Sequence, residues 1–279
     1  MPVNSKNLNI IALTWKDCLR GHKLIFIKPL KVAGTSFELA LRNYCGPEDI
    51  ITMCTPEDER TSLERNKIHF QNENNGAKYF DHVIGLDVDF HVSGNVMNND
   101  CYQGMGTILR VFEANSQRYY NHIEARKIKK RIGEDIFNSY TKVSIVRHPI
   151  DYLISNYYFF GIDLQNVSFR DYAIQAPVKD FKKFYEINGE YIIDHMIRFE
   201  NLNEDIKKLE QKIPGLVGLA ERMKTFKSKI KRVDHKDKIP GAKQRLNSAT
   251  VDYMKTKFPK ACQIAMEKYS EYCKKFNYK

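Results

Sequence analysis

Four apolar residues in a row, Leu24-Ile25-Phe26-Ile27, open the first clear pattern in the chain. A run this short, bounded by turn residues, predicts a buried parallel strand. Pro29, Lys31 and Gly34 make the turn. Phe37, Leu39, Ala40 and Leu41 then predict a helix capped by Thr35 or Ser36, which ends near Gly46-Pro47. Polar residues dominate 48–66, and 67–106 alternate short apolar runs with Asn and Gly. One strand near His82-Val83-Ile84 is the expectation there. From Asn121 the pattern sharpens: Ile123, Ile128 and Ile132 share a helical face, with Gly133 as the stop. A short turn over Glu134–Tyr140 leads to a second buried strand, Lys142-Val143-Ser144-Ile145-Val146, and then to a helix begun at Pro149. Tyr191 to Leu202 reads as a strand entering a helix, with Asn201 and Glu204 as a capping box. Helices over 215–232, from Ser248 to Phe258, and from Lys260 to near Tyr278 complete the chain.

No internal repeat or low-complexity linker divides the 279 residues, so one α/β domain over 1–279 is expected. Its central parallel sheet is flanked by helices. Net charge is +11, which favours polyanions of any kind and does not choose among nucleic acid, acidic glycan or nucleotide. The six cysteines (18, 45, 54, 101, 262, 273) form no C-x-x-C pair, so neither metal nor redox chemistry is indicated. No apolar run approaches the ~18–20 residues needed to span a bilayer. The apolar stretch Asn9–Trp15 is too short for a signal peptide, and a cytoplasmic location is expected.

Strand, small-residue loop and helix N-terminus make an anion cradle. Backbone N–H groups point out of the first helical turn, and the dipole favours negative charge. In Lys31-Val32-Ala33-Gly34-Thr35-Ser36 the lysine adds a point charge and the hydroxyls add donors. This is not a Walker A loop, where lysine directly follows the second glycine. The second strand delivers Arg147, whose planar fork suits a phosphate. Ser155 lies about two turns into the following helix, on a face that can return to the same anion.

The order Lys-x-x-Gly-Thr-Ser after an apolar strand resembles the 5′-phosphosulfate loop of sulfotransferases that use 3′-phosphoadenosine 5′-phosphosulfate (PAPS). Val146-Arg147-His148-Pro149, with Ser155 and Tyr157-Tyr158 downstream, resembles the 3′-phosphate motif of the same family. The run from His122 to Tyr158 and the stretch Arg198-Phe199-Glu200-Asn201-Leu202 extend the likeness to the bacterial, carbohydrate-type members. The resemblance implies a P-loop-like fold and transfer of a sulfuryl group to an acceptor hydroxyl, with a carbohydrate as the favoured acceptor. No metal, no specific nucleic acid and no membrane span are expected. Lys31, Ala33, Gly34, Thr35 and Ser36 would hold the 5′-phosphosulfate, with Lys31 also catalytic; Arg147 and Ser155 would hold the 3′-phosphate.

The general base is less determined. Where many members have Gly-His-Val this chain has Gly94-Asn95-Val96, so His122 is the first choice, ahead of His91 and His69. The stretch 224–245 carries nine Lys and Arg against Asp234 and Asp237. It reads as a solvated face or as a flap over nucleotide or acidic acceptor, with Lys243 and Arg245 its best-placed cations. Two other classes stay open: a nucleotide kinase or related NTPase, and a polyanion-binding protein without catalysis.

Overall fold

The structure, a computed structural model, describes residues 23–45, 54, 58, 64, 122–226 and 248–279. The expected strand near 82–84, His69, His91, Asn95, Lys243 and Arg245 lie outside the described residues.

The described chain is mixed α/β, with a three-stranded parallel sheet and eleven α-helices. Strand β1 (Leu24–Ile27) lies beside β2 (Thr141–Val146), and β2 beside a strand at His195–Arg198, numbered β5 below. Ile27 is in register with Ser144, and Val146 with Arg198, so the strands end along one edge. Between them in sequence, β3 (Glu186–Ile187) and β4 (Glu190–Tyr191) form a hairpin. Its turn is Asn188-Gly189, both at positive φ, the backbone that two-residue hairpin turns require. That dipeptide was a legible hairpin signal which the reading by apolar pattern passed over.

Period-two alternation explains how the sheet is covered. Leu24, Phe26, Val143, Ile145 and Ile197 face one side. There they pack on α1 (Gly34–Leu41), α7 (Leu202–Lys212) and α8 (Leu219–Thr225) through Phe37, Ile206, Leu209 and Leu219. Ile25, Ile27, Val146 and Met196 face the other side, among residues of α4 (Pro149–Phe159), α10 (Pro259–Lys268) and α11 (Ser270–Phe276). Ser144, fully buried in β2, donates its hydroxyl to the Ile27 carbonyl at 2.7 Å, so the polar group inside the strand pair is satisfied.

Several expectations are corrected. Helix α1 begins at Gly34, and its N-cap is Ala33 in the left-handed region, so Thr35 and Ser36 lie in the first turn and neither is the N-cap. Helix α2 (Ala125–Ile132) stops at Gly133 (φ 89°) as expected. The segment after it is a second helix, α3 (Glu134–Ser139), with Glu134 and Asp135 at its positive end. Asn201 is the N-cap of α7, yet its side chain makes no capping bond, because the chain arrives through a 3₁₀ turn at Phe199–Asn201. The final helix breaks at Tyr269 into α10 and α11. Helices α5 (Phe169–Gln175), α6 (Lys182–Tyr185) and α9 (Ser248–Lys257) complete the set. Cys45, Cys54, Cys262 and Cys273 form no disulfide. No helix among the described residues is long and apolar enough to cross a membrane.

Candidate functional site

Strands β1 and β2 are parallel neighbours, so the loops that leave their C-terminal ends emerge side by side. One bond ties these loops together. The Arg147 guanidinium donates through Nη1 to the Lys31 carbonyl at 2.7 Å. Arg147 is only 4% exposed and is gripped elsewhere as well. Its Nε donates to Asp151 Oδ2 at 2.8 Å, and its flat face lies 4.0 Å from the centre of the Phe199 ring. Its backbone is held by one phenol: Tyr272 Oη accepts from the Arg147 N–H and donates to the Arg147 carbonyl.

The first loop is unusual in its backbone. Among the described residues six non-glycine positions have positive φ, and three are asparagines, which tolerate it. The other three are Lys31 (59°), Ala33 (60°) and His122 (63°), and all lie at this edge of the sheet. Left-handed backbone in such residues costs of order 1–3 kcal/mol each and collects where surrounding structure enforces it. Helix α1 opens with no side-chain cap and no acidic residue in its first turn. Its amides there are therefore suited to an anion.

Gly34 leaves room for a neighbouring side chain. Its φ is not positive, and a Cβ built on it would meet Lys28 Cγ at 2.6 Å. Glycine here makes room for the Lys28 side chain, which is 5% exposed. Lys28 donates to Glu38 Oε2 at 2.7 Å, and Arg42 Nη2 donates to Glu38 Oε1 at 3.2 Å. Both cations also approach Cys54 Sγ at 3.6 Å. Burial works against each charge in this group. For Lys28 it is outweighed by Cys54 and Glu38, so the ammonium is held above its ordinary pKa. For Glu38 it is outweighed by Lys28 and Arg42, so the carboxyl is held below.

His122 joins the same edge. Its Nδ1 lies 3.1 Å from the Lys28 carbonyl. A carbonyl only accepts, so Nδ1 carries the proton and Nε2 keeps its lone pair. Burial, then the nearby Lys28 ammonium, push the imidazole down to about 4. His148, next to Arg147, is turned to another task. Its Nδ1 accepts from the Ile150 N–H as the cap of α4, and its Nε2 faces the Lys279 carbonyl at 3.3 Å.

Lys31, Ala33, Gly34, Thr35, Ser36, Arg147 and His122 thus come to one edge of the sheet. Ser155 follows Asp151 by four residues on α4, half-buried, and Phe159 follows by four more. The Lys31 ammonium sits 3.2 Å above the Phe159 ring centre. Lys28, Glu38, Arg42, Asp151 and Phe159 were not found from the sequence. The four-residue spacings Glu38/Arg42 and Arg147/Asp151, opposite charges one helical turn apart, were the available signal. Of the basic residues of α2, Arg126, Lys127 and Lys130 are exposed, while Lys129 and Arg131 are half-buried. No group of His, Cys, Asp and Glu among the described residues could hold a metal ion.

No protein-family model matches the chain, and no solved structure matches it. An uncharacterized protein of Archaeoglobus fulgidus is 31% identical over 103 residues, covering 34% of this chain and 82% of the archaeal one. The two belong to one family, and the relative's description assigns it no activity.

Proposed function

We propose that the protein is a PAPS-dependent sulfotransferase of P-loop-like architecture, acting on a carbohydrate hydroxyl in the cytoplasm. The observation that carries this reading is the bond from Arg147 to the Lys31 carbonyl. It makes one site of the two loops whose motifs resemble the two phosphate grips of that family. A ligand with phosphate at both the 3′ and 5′ positions of one nucleoside needs two such grips close together.

The residues fit this ligand class. The N-terminus of α1 carries the amides of Gly34, Thr35 and Ser36, with no acid in the turn to repel an anion. Glu38, the nearest acid on α1, is neutralised by Lys28 and Arg42. Lys31 adds a flexible ammonium, and Arg147 with Ser155 forms the second grip. PAPS supplies a sulfuryl group whose bond to the 5′-phosphate breaks as the acceptor oxygen attacks. In this reading the chain's own part is positioning and charge. The first-turn amides and Lys31 stabilise negative charge on the leaving oxygen. His122 Nε2 takes the acceptor hydroxyl's proton, its tautomer set by the Lys28 carbonyl.

Calorimetry with adenosine 3′,5′-bisphosphate and AMP tests the reading. Arg147 and Ser155 predict binding of the bisphosphate at least about tenfold tighter, as a charge-assisted phosphate contact implies. Equal affinities would refute it. A screen of hydroxyl acceptors with labelled PAPS then identifies the acceptor.

A further inference from the structure

The Arg147–Asp151 pair has an unusual shape. Asp151 is 2% exposed and receives Arg147 Nε on Oδ2, while its other oxygen, Oδ1, is buried with no hydrogen-bond partner. A buried carboxylate with half its acceptor capacity unused is costly. Burial raises its pKa even against the pull of Arg147. Such a pair is a poor source of stability, since well-packed apolar residues in its place are often as stable or more so. What it does supply is direction. Nε is fixed by Asp151, the guanidinium face by Phe199 and Nη1 by the Lys31 carbonyl, so the plane of the fork is set by three separate elements. The last of these contacts acts on the first loop, because the carbonyl belongs to a residue in left-handed backbone.

We propose that Asp151 is a positioning residue: it aims Arg147 at the anion site and, through the bond from Arg147 to the Lys31 carbonyl, holds the first loop in its binding shape. The two anion loops are then one mechanical unit, and a defect at Asp151 reaches both. This rests on the nucleotide site proposed above and adds to it a residue outside both motif grips.

Wild type, Asp151→Asn, Asp151→Ser and Asp151→Ala are compared in two ways. The first is the Arg147 Nε–H signal in nitrogen-15 NMR, which reads the aim without any ligand. It is expected to be protected from exchange in wild type and in Asp151→Asn, which keeps an acceptor oxygen, and unprotected in Asp151→Ser and Asp151→Ala. The second is calorimetry with adenosine 3′,5′-bisphosphate and AMP. Asp151→Ala and Asp151→Ser are expected to weaken the bisphosphate about tenfold, the order expected when a charge-assisted contact is lost. They should weaken AMP several-fold as well, although AMP has no 3′-phosphate for Arg147 to hold. Asp151→Asn restores most of both. A purely structural role would lower the melting temperature and leave the affinities of the folded protein unchanged; that result overturns the proposal. So does an unprotected Nε–H in wild type, an Asp151→Asn as weak as the alanine variant, or an unchanged AMP affinity. If wild type binds neither nucleotide, the function proposed above fails, while the exchange measurement still decides whether Asp151 aims Arg147.

Discussion

Adding one methyl group at Gly34 separates two uses of a glycine at the start of a helix: room for a ligand, or room for a neighbouring side chain. The Cβ of Gly34→Ala would stand 2.6 Å from Lys28 Cγ, 3.2 Å from Cε and 3.3 Å from Cδ. The closest of these is nearly an ångström short of ordinary contact, and Cγ lies near the root of the side chain, where it cannot swing aside. Lys28 is also tied at its far end, by Glu38 and Cys54. Overpacking of this kind costs typically about 1–3 kcal/mol. The gain in helix propensity from Gly to Ala is at most about 1 kcal/mol and is smaller in a first turn. The clash therefore wins, and Gly34→Ala is expected to destabilise by about 1–2 kcal/mol. A Lys28 displaced far enough to release Glu38 would raise that toward the roughly 3–5 kcal/mol of a broken buried pair. The assay is urea unfolding of wild type, Gly34→Ala, Lys28→Ala and the double variant. Lys28→Ala removes the clashing atoms, so in that background Gly34→Ala should cost close to nothing, which gives a coupling of about 1 kcal/mol or more. The same cost in both backgrounds would refute the packing argument.

Three further outcomes are expected. His122 and His148 are both held at about 4, below the ordinary 6.5, by burial first. The unfolded chain therefore binds more protons in that interval, and stability falls as pH drops from 6.5 toward 4, by on the order of 2–3 kcal/mol for the well-buried His148. Unfolding midpoints measured from pH 7 to 4.5 check this, and a flat profile would refute it. Lys31→Ala should lower sulfuryl transfer by about 10²–10³, with an unchanged far-ultraviolet spectrum; a folded variant with most of its activity would rule out the catalytic role. His122→Ala should lower turnover by roughly 10²–10⁴ while leaving the affinity for adenosine 3′,5′-bisphosphate unchanged, and near-normal turnover would move the base elsewhere.

The strands were legible because the cause is local. Leu24–Ile27 is apolar without alternation, and Val143–Val146 is broken only by the small Ser144, which is how strands covered on both faces read, and both faces are covered. Arg147 was legible because it follows such a strand directly. Lys28 was not, because a lysine at a strand end reads as a surface charge. Its partners, Glu38 across a loop with two left-handed residues and Cys54 further on, take it into the interior. The left-handed backbone of the first loop had no signal, since Lys31 and Ala33 are not residues that favour it. Helix α3 was missed for another reason: six residues hold too few turns for a periodic pattern.

Charge at this edge of the sheet bears on how a histidine of low basicity would serve as the base of the proposed reaction. With Nδ1–H committed to the Lys28 carbonyl, only Nε2 can take a proton. An imidazolium formed there stands near the Lys28 and Lys31 ammonium groups, and both lower its pKa. Glu38 works in the opposite direction, but it is shared between Lys28 and Arg42. On its own, then, His122 is neutral and weakly basic at neutral pH. An anion bound at the first loop changes this balance, because negative charge close to a histidine favours its protonated form. On the proposed reading, the nucleotide that brings the sulfuryl group also raises the basicity of the residue that must accept the proton. Basicity is then greatest when the first loop is filled, with the tautomer fixed by the Lys28 carbonyl and the ring kept unprotonated at neutral pH by burial and the Lys28 ammonium.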